Sequence, residues 1–219
     1  MLNVIDVASY QDGIDLTQVP SDVVIIKATD GTNYVNPACN AQYASAKAAG
    51  KRMGLYHFAE PGTDAVTQAR FFVDNVKNYL LDEHALPMLD WEADAINLGP
   101  AWASQWLDEV ARLTGASPMI YMSKATTNQY DWSPVARYYA LWGAQYASSA
   151  PQYGFIADPW TDDNAWGAWG VPTVFQYSST GRLSGWNGSL DLSMAYLDGD
   201  GWDKFTNAGG NGQKVDPTP

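Results

Sequence analysis

Residues 53–92 read MGLYHFAEPGTDAVTQARFFVDNVKNYLLDEHALPMLDWE, and this stretch decides the fold. The short apolar runs at its two ends, Met53 to Phe58 and Leu86 to Trp91, are typical of strands buried on both faces. Between them, Asp64 to Leu81 carries apolar side chains at helical spacing, and Asp64 is a suitable helix start. A strand, a helix and a second strand in this order predict two parallel strands joined by a right-handed crossover.

The same alternation continues outward from this stretch. Further apolar runs predict strands at Leu2 to Val7, Val23 to Ala28, Met119 to Met122, Tyr138 to Gln145, Thr173 to Tyr177 and Ser189 to Leu192. Helical spacing returns at Asn36 to Ala49 and at Gly99 to Leu113. About eight strands, with helices mainly after the first five, predict an irregular TIM-like α/β barrel. An open doubly wound sheet is the alternative.

The composition argues against several classes of protein. The chain has 24 acidic and 12 basic residues, and no run of Lys or Arg could follow a phosphate backbone, so we expect no nucleic-acid partner. Cys39 is the only cysteine, and His57 and His84 are the only histidines, so we expect no disulfide, no metal and no cofactor. No segment reaches the roughly 20 apolar residues that a membrane span needs.

Candidate catalytic residues lie where apolar strands end in acids. Asp90 and Glu92 are two residues apart at the end of their strand, so both side chains should point to the same side. In a parallel barrel that end of the strands carries the active site. Two carboxyl groups in one enclosed cavity repel each other when both are charged, so one of them tends to keep its proton. Glycoside hydrolysis requires such a protonated carboxyl group as the general acid. The structural alternative is that either acid caps a helix or lies in solvent.

Two further acids occur in a similar context. Asp6 ends the first predicted strand, and Asp191 lies between Leu190 and Leu192 in the last one. A buried acid without partners is costly, so each needs a partner or a polar cavity, unless it serves a turn or a helix cap. If the first and last strands adjoin when the barrel closes, Asp6 and Asp191 become neighbours at its mouth.

Tryptophan is unusually frequent, with ten residues. Trp160, Trp166 and Trp169 fall in a polar, glycine-containing segment that is typical of a loop. We therefore expect these side chains to form a sugar-binding wall rather than part of the core.

Seven short motifs, in order, resemble those of glycoside hydrolase family 25 lysozymes. They span residues 4 to about 197 and are Val4–Gln11, Ile25–Gly31, Gly54–Ala59, Leu89–Glu92, Leu141–Tyr146, Phe175–Ser178 and Leu190–Leu192. The resemblance implies an irregular α/β barrel that cleaves the β-1,4 bond between N-acetylmuramic acid and N-acetylglucosamine in bacterial peptidoglycan. One departure is Ser193, which follows Asp-Leu where the family commonly has Asn.

The resemblance also implies roles for individual residues. Glu92 would be the general acid and Asp90 would orient or stabilise charge at the reacting sugar, while Asp6 and Asp191 match the family's other two acidic positions. Either the substrate's own N-acetyl group or a carboxylate would be the nucleophile. The residues expected to line the substrate groove are Tyr56, Trp142, Gln145, Tyr146, Gln176 and Tyr177. His57 is expected to be a hydrogen-bonded residue of the barrel.

Three alternative functions make different predictions. A family 18-like N-acetylglucosaminidase also uses a D-x-E strand, but its longer acidic run would place Asp at the position of Met88. A wall-binding pseudoenzyme would be expected to have lost Asp90 or Glu92. A structural or interaction protein would have no reason to gather acids at strand ends.

The two ends of the chain suggest where the protein works. Residues 1–206 are expected to form the catalytic barrel, and the hydrophilic residues 207–219 are expected to form a flexible tail or linker. Such a linker could connect the barrel to a wall-binding module beyond residue 219. The first residues lack the charged and apolar regions of an export signal. We therefore expect a phage endolysin, made in the host cytoplasm and acting at the cell wall after release by a separate pore protein.

Overall fold

The computed structural model describes residues 1–81 and 84–206, so the predicted tail lies outside the described residues. The strands are β1 (Leu2–Val7), β2 (Val23–Asp30), β3 (Tyr34–Val35), β4 (Arg52–Phe58), β5 (Leu86–Asp90), β6 (Met119–Ser123), β7 (Ala140–Ala144), β8 (Gln152–Tyr153), β9 (Val174–Arg182) and β10 (Leu190–Ala195). The helices are α1 (Cys39–Ala48), α2 (Ala65–Leu81), α3 (Pro100–Thr114), α4 (Lys124–Thr127), α5 (Ser133–Ala136) and α6 (Gly199–Thr206).

Eight of these strands close into a barrel. Their order is β1, β10, β9, β7, β6, β5, β4 and β2, and β2 pairs again with β1, while β3 and β8 lie outside this ring. Neighbouring strands are parallel except around β10, which is antiparallel to both β9 and β1. The predicted irregular barrel is therefore confirmed, and the pairing of β1 with β2 rules out an open sheet.

Three long helices cover the barrel where helical spacing predicted them. α1 follows β2 and β3, α2 follows β4, and α3 follows β5, in agreement with the predicted segments to within three residues. Asp64 caps α2 as expected, because its Oδ1 accepts the backbone N–H of Thr67 at 2.9 Å. None of the described helices is long and apolar enough to cross a bilayer.

The barrel interior is apolar at its base. Alternate residues of the strands, such as Val23 and Ile25 on β2 and Leu86 and Met88 on β5, share one interior cluster, whereas Val24 and Ile26 belong to the larger cluster between the strands and the helices. This is the period-two alternation expected of strands buried on both faces. The interior positions become polar only towards the carboxyl ends of the parallel strands.

Helix α6 closes the base of the barrel, and it was not predicted from the sequence. Trp202 and Phe205 belong to the interior cluster, and the Phe205 carbonyl accepts the Ser117 backbone N–H at 2.9 Å. Arg52, at the start of β4, donates through Nε to Asp203 at 2.8 Å. In the part of the chain that the structure describes, α6 therefore covers the base, and the opposite mouth of the barrel is open.

The expectation of a tryptophan wall is wrong for two of its three residues. Trp166 is buried in an edge-to-face contact with Phe175, and the Trp169 indole donates to the Tyr139 carbonyl at 2.8 Å. Gly143 explains the close packing, because a Cβ at that position would collide with the Trp166 ring. Trp160 alone of the three is exposed.

Replacing Trp202 by Ala should lower the free energy of unfolding by about 3 to 5 kcal/mol, because it removes a fully buried indole that fills the barrel base. Trp160→Ala is the matched control and should change stability by no more than about 0.5 kcal/mol, since that side chain is exposed. Urea unfolding followed by circular dichroism measures both. Equal losses in the two variants would show that α6 does not close the core.

Candidate active site

Three carboxyl groups meet inside the mouth of the barrel. Asp6 and Asp90 lie at the carboxyl ends of parallel strands, and Asp191 lies near the start of the reversed strand β10, which reaches the same mouth. Asp6 and Asp191 are direct partners in the register between β1 and β10. The expected adjacency of the first and last strands is therefore confirmed.

The local sequence Asp90-Trp91-Glu92 sends its side chains to opposite sides. Trp91 is fully buried in the outer layer, where it packs against Trp102 and Trp132 with ring centroids 5.5 and 6.1 Å away. Asp90 and Glu92 therefore both face the cavity, as their spacing predicted. After Glu92 the backbone turns sharply, because Ala93 adopts a positive φ of 50°.

The mouth opens into a cavity of about 740 Å³. Its carboxyl groups belong to Asp6, Asp30, Glu60, Asp90, Glu92 and Asp191. Aromatic side chains on its walls are Tyr10, Tyr34, Tyr56 and Phe58. Acidic groups beside aromatic faces suit a neutral sugar, whose hydroxyls can donate to carboxylates while its C–H faces pack on rings.

Asp6 and Asp191 behave as one acidic pair. Burial raises the pKa of Asp6 well above its usual range, and the neighbouring Asp191 raises it further. Burial likewise raises the pKa of Asp191 to about 6, although a hydrogen bond from Asp6 lowers it. Two adjoining carboxyl groups cannot both ionise cheaply, so the pair holds one proton in mildly acidic solution.

Asp90 and Glu92 form a second acidic pair with unequal access to solvent. Burial, and then the charge of Glu92, raise the pKa of Asp90 well above its usual range. Asp90 is 8% exposed, and its Oδ1 has no hydrogen-bond partner among the described residues. The Glu92 side chain is exposed at the rim, yet partial desolvation by the cavity walls still raises its pKa. Glu92 is therefore the carboxyl group of this pair that a substrate can reach.

Lys27 is a site residue that sequence reasoning missed. Its ammonium lies 2.9 Å from Asp30 Oδ2 and 4.5 Å from the Phe58 ring centroid. It is the one basic side chain among the described residues that line the cavity, and its charge lowers the pKa of both Asp90 and Glu92. Its position in the sequence could have revealed it. Every second residue of β2 faces the barrel interior, as Val23 and Ile25 do, and Lys27 is the next residue in that series.

Four of the expected groove residues lie in or beneath the mouth. Tyr56 lines the cavity, and Trp142 is buried below it, where its indole donates to Ser193 Oγ at 3.3 Å. Gln176 is also buried, and its Nε2 donates to Asp6 Oδ2 at 2.8 Å. Tyr146 is partly exposed and donates to Gln176 Oε1 at 2.5 Å.

The structure does not bring Gln145 or Tyr177 into this cavity. Gln145 donates to Asp162 and lines a separate hollow of about 440 Å³. Tyr177 points to the outer side of β9, and its hydroxyl accepts the Ile156 backbone N–H at 3.1 Å. Successive side chains of a strand point to opposite faces, and residues 174 and 176 face the barrel interior. Residues 175 and 177 therefore face outward, away from the cavity.

His57 is a structural residue of the barrel wall, as expected. Its Nδ1 is 2.8 Å from Thr29 Oγ1, and its Nε2 is 3.0 Å from Gln68 Oε1. Burial lowers its pKa to about 4, so the ring is neutral near neutral pH. Its ring stacks on Trp106 in the outer layer, away from the cavity.

Comparison with known proteins agrees with this geometry. Paired carboxyl groups at the mouth of an α/β barrel are the arrangement of many glycoside hydrolases. The sequence model of the glycosyl hydrolases family 25 matches residues 5–186. The chain therefore belongs to glycosyl hydrolase family 25, which confirms the resemblance seen in the sequence.

Several relatives are similar over most of this chain. Lysozyme M1 of Streptomyces globisporus is 32% identical over 204 residues, which cover 85% of this chain and 65% of that protein. The lysozyme of Streptococcus phage Cp-1 is 29% identical over 220 residues, which cover 94% of this chain and 57% of that protein. This chain thus spans less than two thirds of either relative.

A solved structure shares the fold over nearly its full length. The bacterial lysozyme from Streptomyces coelicolor superimposes with a TM-score of 0.79 at 25% identity, covering 95% of this chain and 98% of that one. This chain therefore shares its overall fold with that bacterial lysozyme.

Replacing Asp191 by Asn should remove much of the pH dependence of stability between pH 3.8 and about 6. Because the folded protein holds this proton more tightly than the unfolded chain does, the wild-type free energy of unfolding should fall as pH rises through that window. Above it, Asp191→Asn should be the more stable protein by roughly 1 to 3 kcal/mol. Thermal midpoints from pH 3 to 8 measure this.

Asp74→Asn provides the control for that measurement, because Asp74 is an exposed carboxylate on α2. Its profile should follow the wild type. An Asp191→Asn profile that also follows the wild type would show that the Asp6 and Asp191 pair carries no such penalty.

Proposed function

We propose that this chain is a lysozyme that hydrolyses the β-1,4 bond between N-acetylmuramic acid and N-acetylglucosamine in peptidoglycan. The observation that carries the proposal is that Asp90 and Glu92 line one cavity at the open mouth of the barrel, with the pKa of each carboxyl group raised. Membership of family 25 and relatives named lysozyme support the choice of substrate.

Access to the cavity distinguishes the two acids. Glu92 lies at the rim, so it can reach a glycosidic oxygen, and its raised pKa favours the protonated form that a general acid needs. Asp90 lies deeper, and its Oδ1 has no hydrogen-bond partner among the described residues, so it can accept a hydrogen bond from the reacting sugar or stabilise positive charge there. Lys27 limits how far both pKa values rise.

The other candidate functions lack a matching observation. Met88 lies in the apolar interior below Asp90, where a family 18-like enzyme would need a further acid. A pseudoenzyme would not need to keep Asp90 desolvated at a cost to stability. The raised pKa of each acid thus favours catalysis over simple wall binding.

The proposal also covers the origin of the protein and the place where it acts. We infer an endolysin of phage origin that acts at the bacterial cell wall, and the similarity to the phage Cp-1 lysozyme supports it. We also propose a wall-binding module attached after this barrel; the phage Cp-1 lysozyme is longer than the region that matches this chain. Such a module would hold an acidic domain close to an anionic wall. A coding sequence found in a bacterial chromosome behind an export signal would contradict the phage origin.

Replacing Glu92 by Gln should lower the single-turnover rate on a defined glycan by about two to four orders of magnitude, because the amide cannot deliver a proton. Glycan binding should survive, since the shape of the side chain is kept. Asp90→Asn should also lower the rate. Asp64→Asn, at the exposed start of α2, should leave the rate and the fold unchanged.

The products of wild-type digestion identify the bond that is cut. A new reducing end on muramic acid supports a lysozyme, and one on glucosamine would replace that proposal by a glucosaminidase. If folded Glu92→Gln keeps more than about a tenth of the wild-type rate, Glu92 is not the acid.

Tyr10 should act as a platform for a sugar at the outer part of the cavity. It lines the cavity while 90% exposed, and its turn is fixed because Gln42 donates to the carbonyls of Ala8 and Gln11. Tyr10→Ala should raise KM for a long glycan about fivefold with little change in kcat, because the ring contacts substrate before and during reaction. Tyr10→Phe keeps the ring and should match the wild type. An unchanged KM in Tyr10→Ala would exclude the platform.

A further inference from the structure

Gln176 has a fixed orientation because two phenols hold it. Its Oε1 accepts the hydroxyl protons of Tyr121 at 2.9 Å and Tyr146 at 2.5 Å. With both hydrogen bonds directed at the amide oxygen, the amide nitrogen must face the other way. There Nε2 donates to Asp6 Oδ2 at 2.8 Å.

This arrangement controls the carboxyl group of Asp6. Gln176 is 2% exposed, so water does not compete readily for its hydrogen bonds. Since Asp6 Oδ2 accepts the amide proton, a proton carried by Asp6 belongs on the other oxygen. The Asp6 carboxyl group is also hydrogen-bonded to Asp191.

We propose, on the basis of the proposed lysozyme function, that Gln176 is a positioning residue that holds Asp6 Oδ2 in place and stabilises the negative charge on the Asp6 and Asp191 pair. Tyr121 and Tyr146 set the direction of its amide, and it does not itself contact the reacting sugar. The pair then presents a single negative charge to the cavity at the pH where Glu92 still holds its proton. Gln176 and Tyr146 were expected from the resemblance to be groove residues, and this assigns them a different task.

Other titratable groups also face the Asp6 and Asp191 pair and contribute to its surroundings during the titration. They are Asp90 on β5, Glu92 beyond it, Tyr56 on β4 and Lys27 on β2, together with the two phenols. The acids favour retention of the shared proton, as does burial. The amide of Gln176 opposes them, because donation to Asp6 lowers its pKa.

Two substitutions remove the amide donor in different ways. Gln176→Met removes the donor and the acceptor, whereas Gln176→Glu keeps an acceptor for the two phenols. In Gln176→Met the first ionisation of the pair should move up by about one pH unit, which is the size of effect expected for one hydrogen bond to a charged group. In Gln176→Glu it should move up further, because the new carboxyl group lies against Asp6 and adds like charge. The low-pH limb of kcat/KM should move up with it.

Carboxyl carbon NMR titration of labelled aspartate measures this ionisation without relying on turnover. Tyr146→Phe should produce a smaller upward shift, because Tyr121 still holds the amide. Tyr139→Phe is the matched control, since it removes a buried phenol that donates to Asp108 outside the barrel, and it should leave the titration unchanged.

The outcomes separate this proposal from the proposed function. An unchanged titration in both Gln176 variants, with only a lower thermal midpoint, would overturn the positioning role and leave a merely structural one. A wild type that does not cut peptidoglycan would overturn the lysozyme function, while the titration would still decide the role of Gln176. An upward shift in both Gln176 variants but not in Tyr139→Phe supports the positioning role.

Discussion

The antiparallel insertion of β10 between β9 and β1 is the constraint on which the active site depends. All the other barrel pairings are parallel, so their carboxyl ends gather at one mouth, and β10 contributes the beginning of its strand there instead. Its register places Asp191 directly opposite Asp6. If β10 ran parallel to its neighbours, a residue near its start would lie at the closed base, and the Asp6 and Asp191 pair could not form.

This arrangement lowers the free energy of unfolding because it buries acidic groups, and the apolar packing in the rest of the barrel offsets that loss. Desolvation and like charge raise the pKa of Asp6, Asp90 and Asp191, which means that ionising these groups destabilises the fold. Below them, the interior is filled by apolar side chains and closed by Trp202 and Phe205 of α6. The electrostatic destabilisation is thus concentrated at the open end of the barrel, where the acids of the candidate active site lie.

Hydrogen bonding gives this acidic mouth its order. Gln176 connects the Asp6 and Asp191 pair to the phenols on the opposite side of the barrel, and Lys27 with Asp30 brings one fixed cation towards Asp90 and Glu92. Gln176 lies far from Asp6 and Tyr121 in sequence, and the three residues meet because their strands belong to one closed sheet, whereas Lys27 and Asp30 are three residues apart on β2. The two acidic pairs therefore have separate controls, an amide for one and an ammonium for the other.

The sequence by itself determined the eight barrel strands, the three long helices and the main acids, because these depend on local periodicity. Alternating apolar runs identified the strands, and the spacing of Asp90 and Glu92 placed both acids on one side of β5. Tertiary structure alone decided what depends on register and packing across the barrel. Trp166 became core because Gly143 leaves room for its ring, Tyr177 faced outward while Gln176 faced Asp6, and Lys27 joined the site. Periodicity says which residues share a face, but only strand pairing and closure decide which partners that face meets.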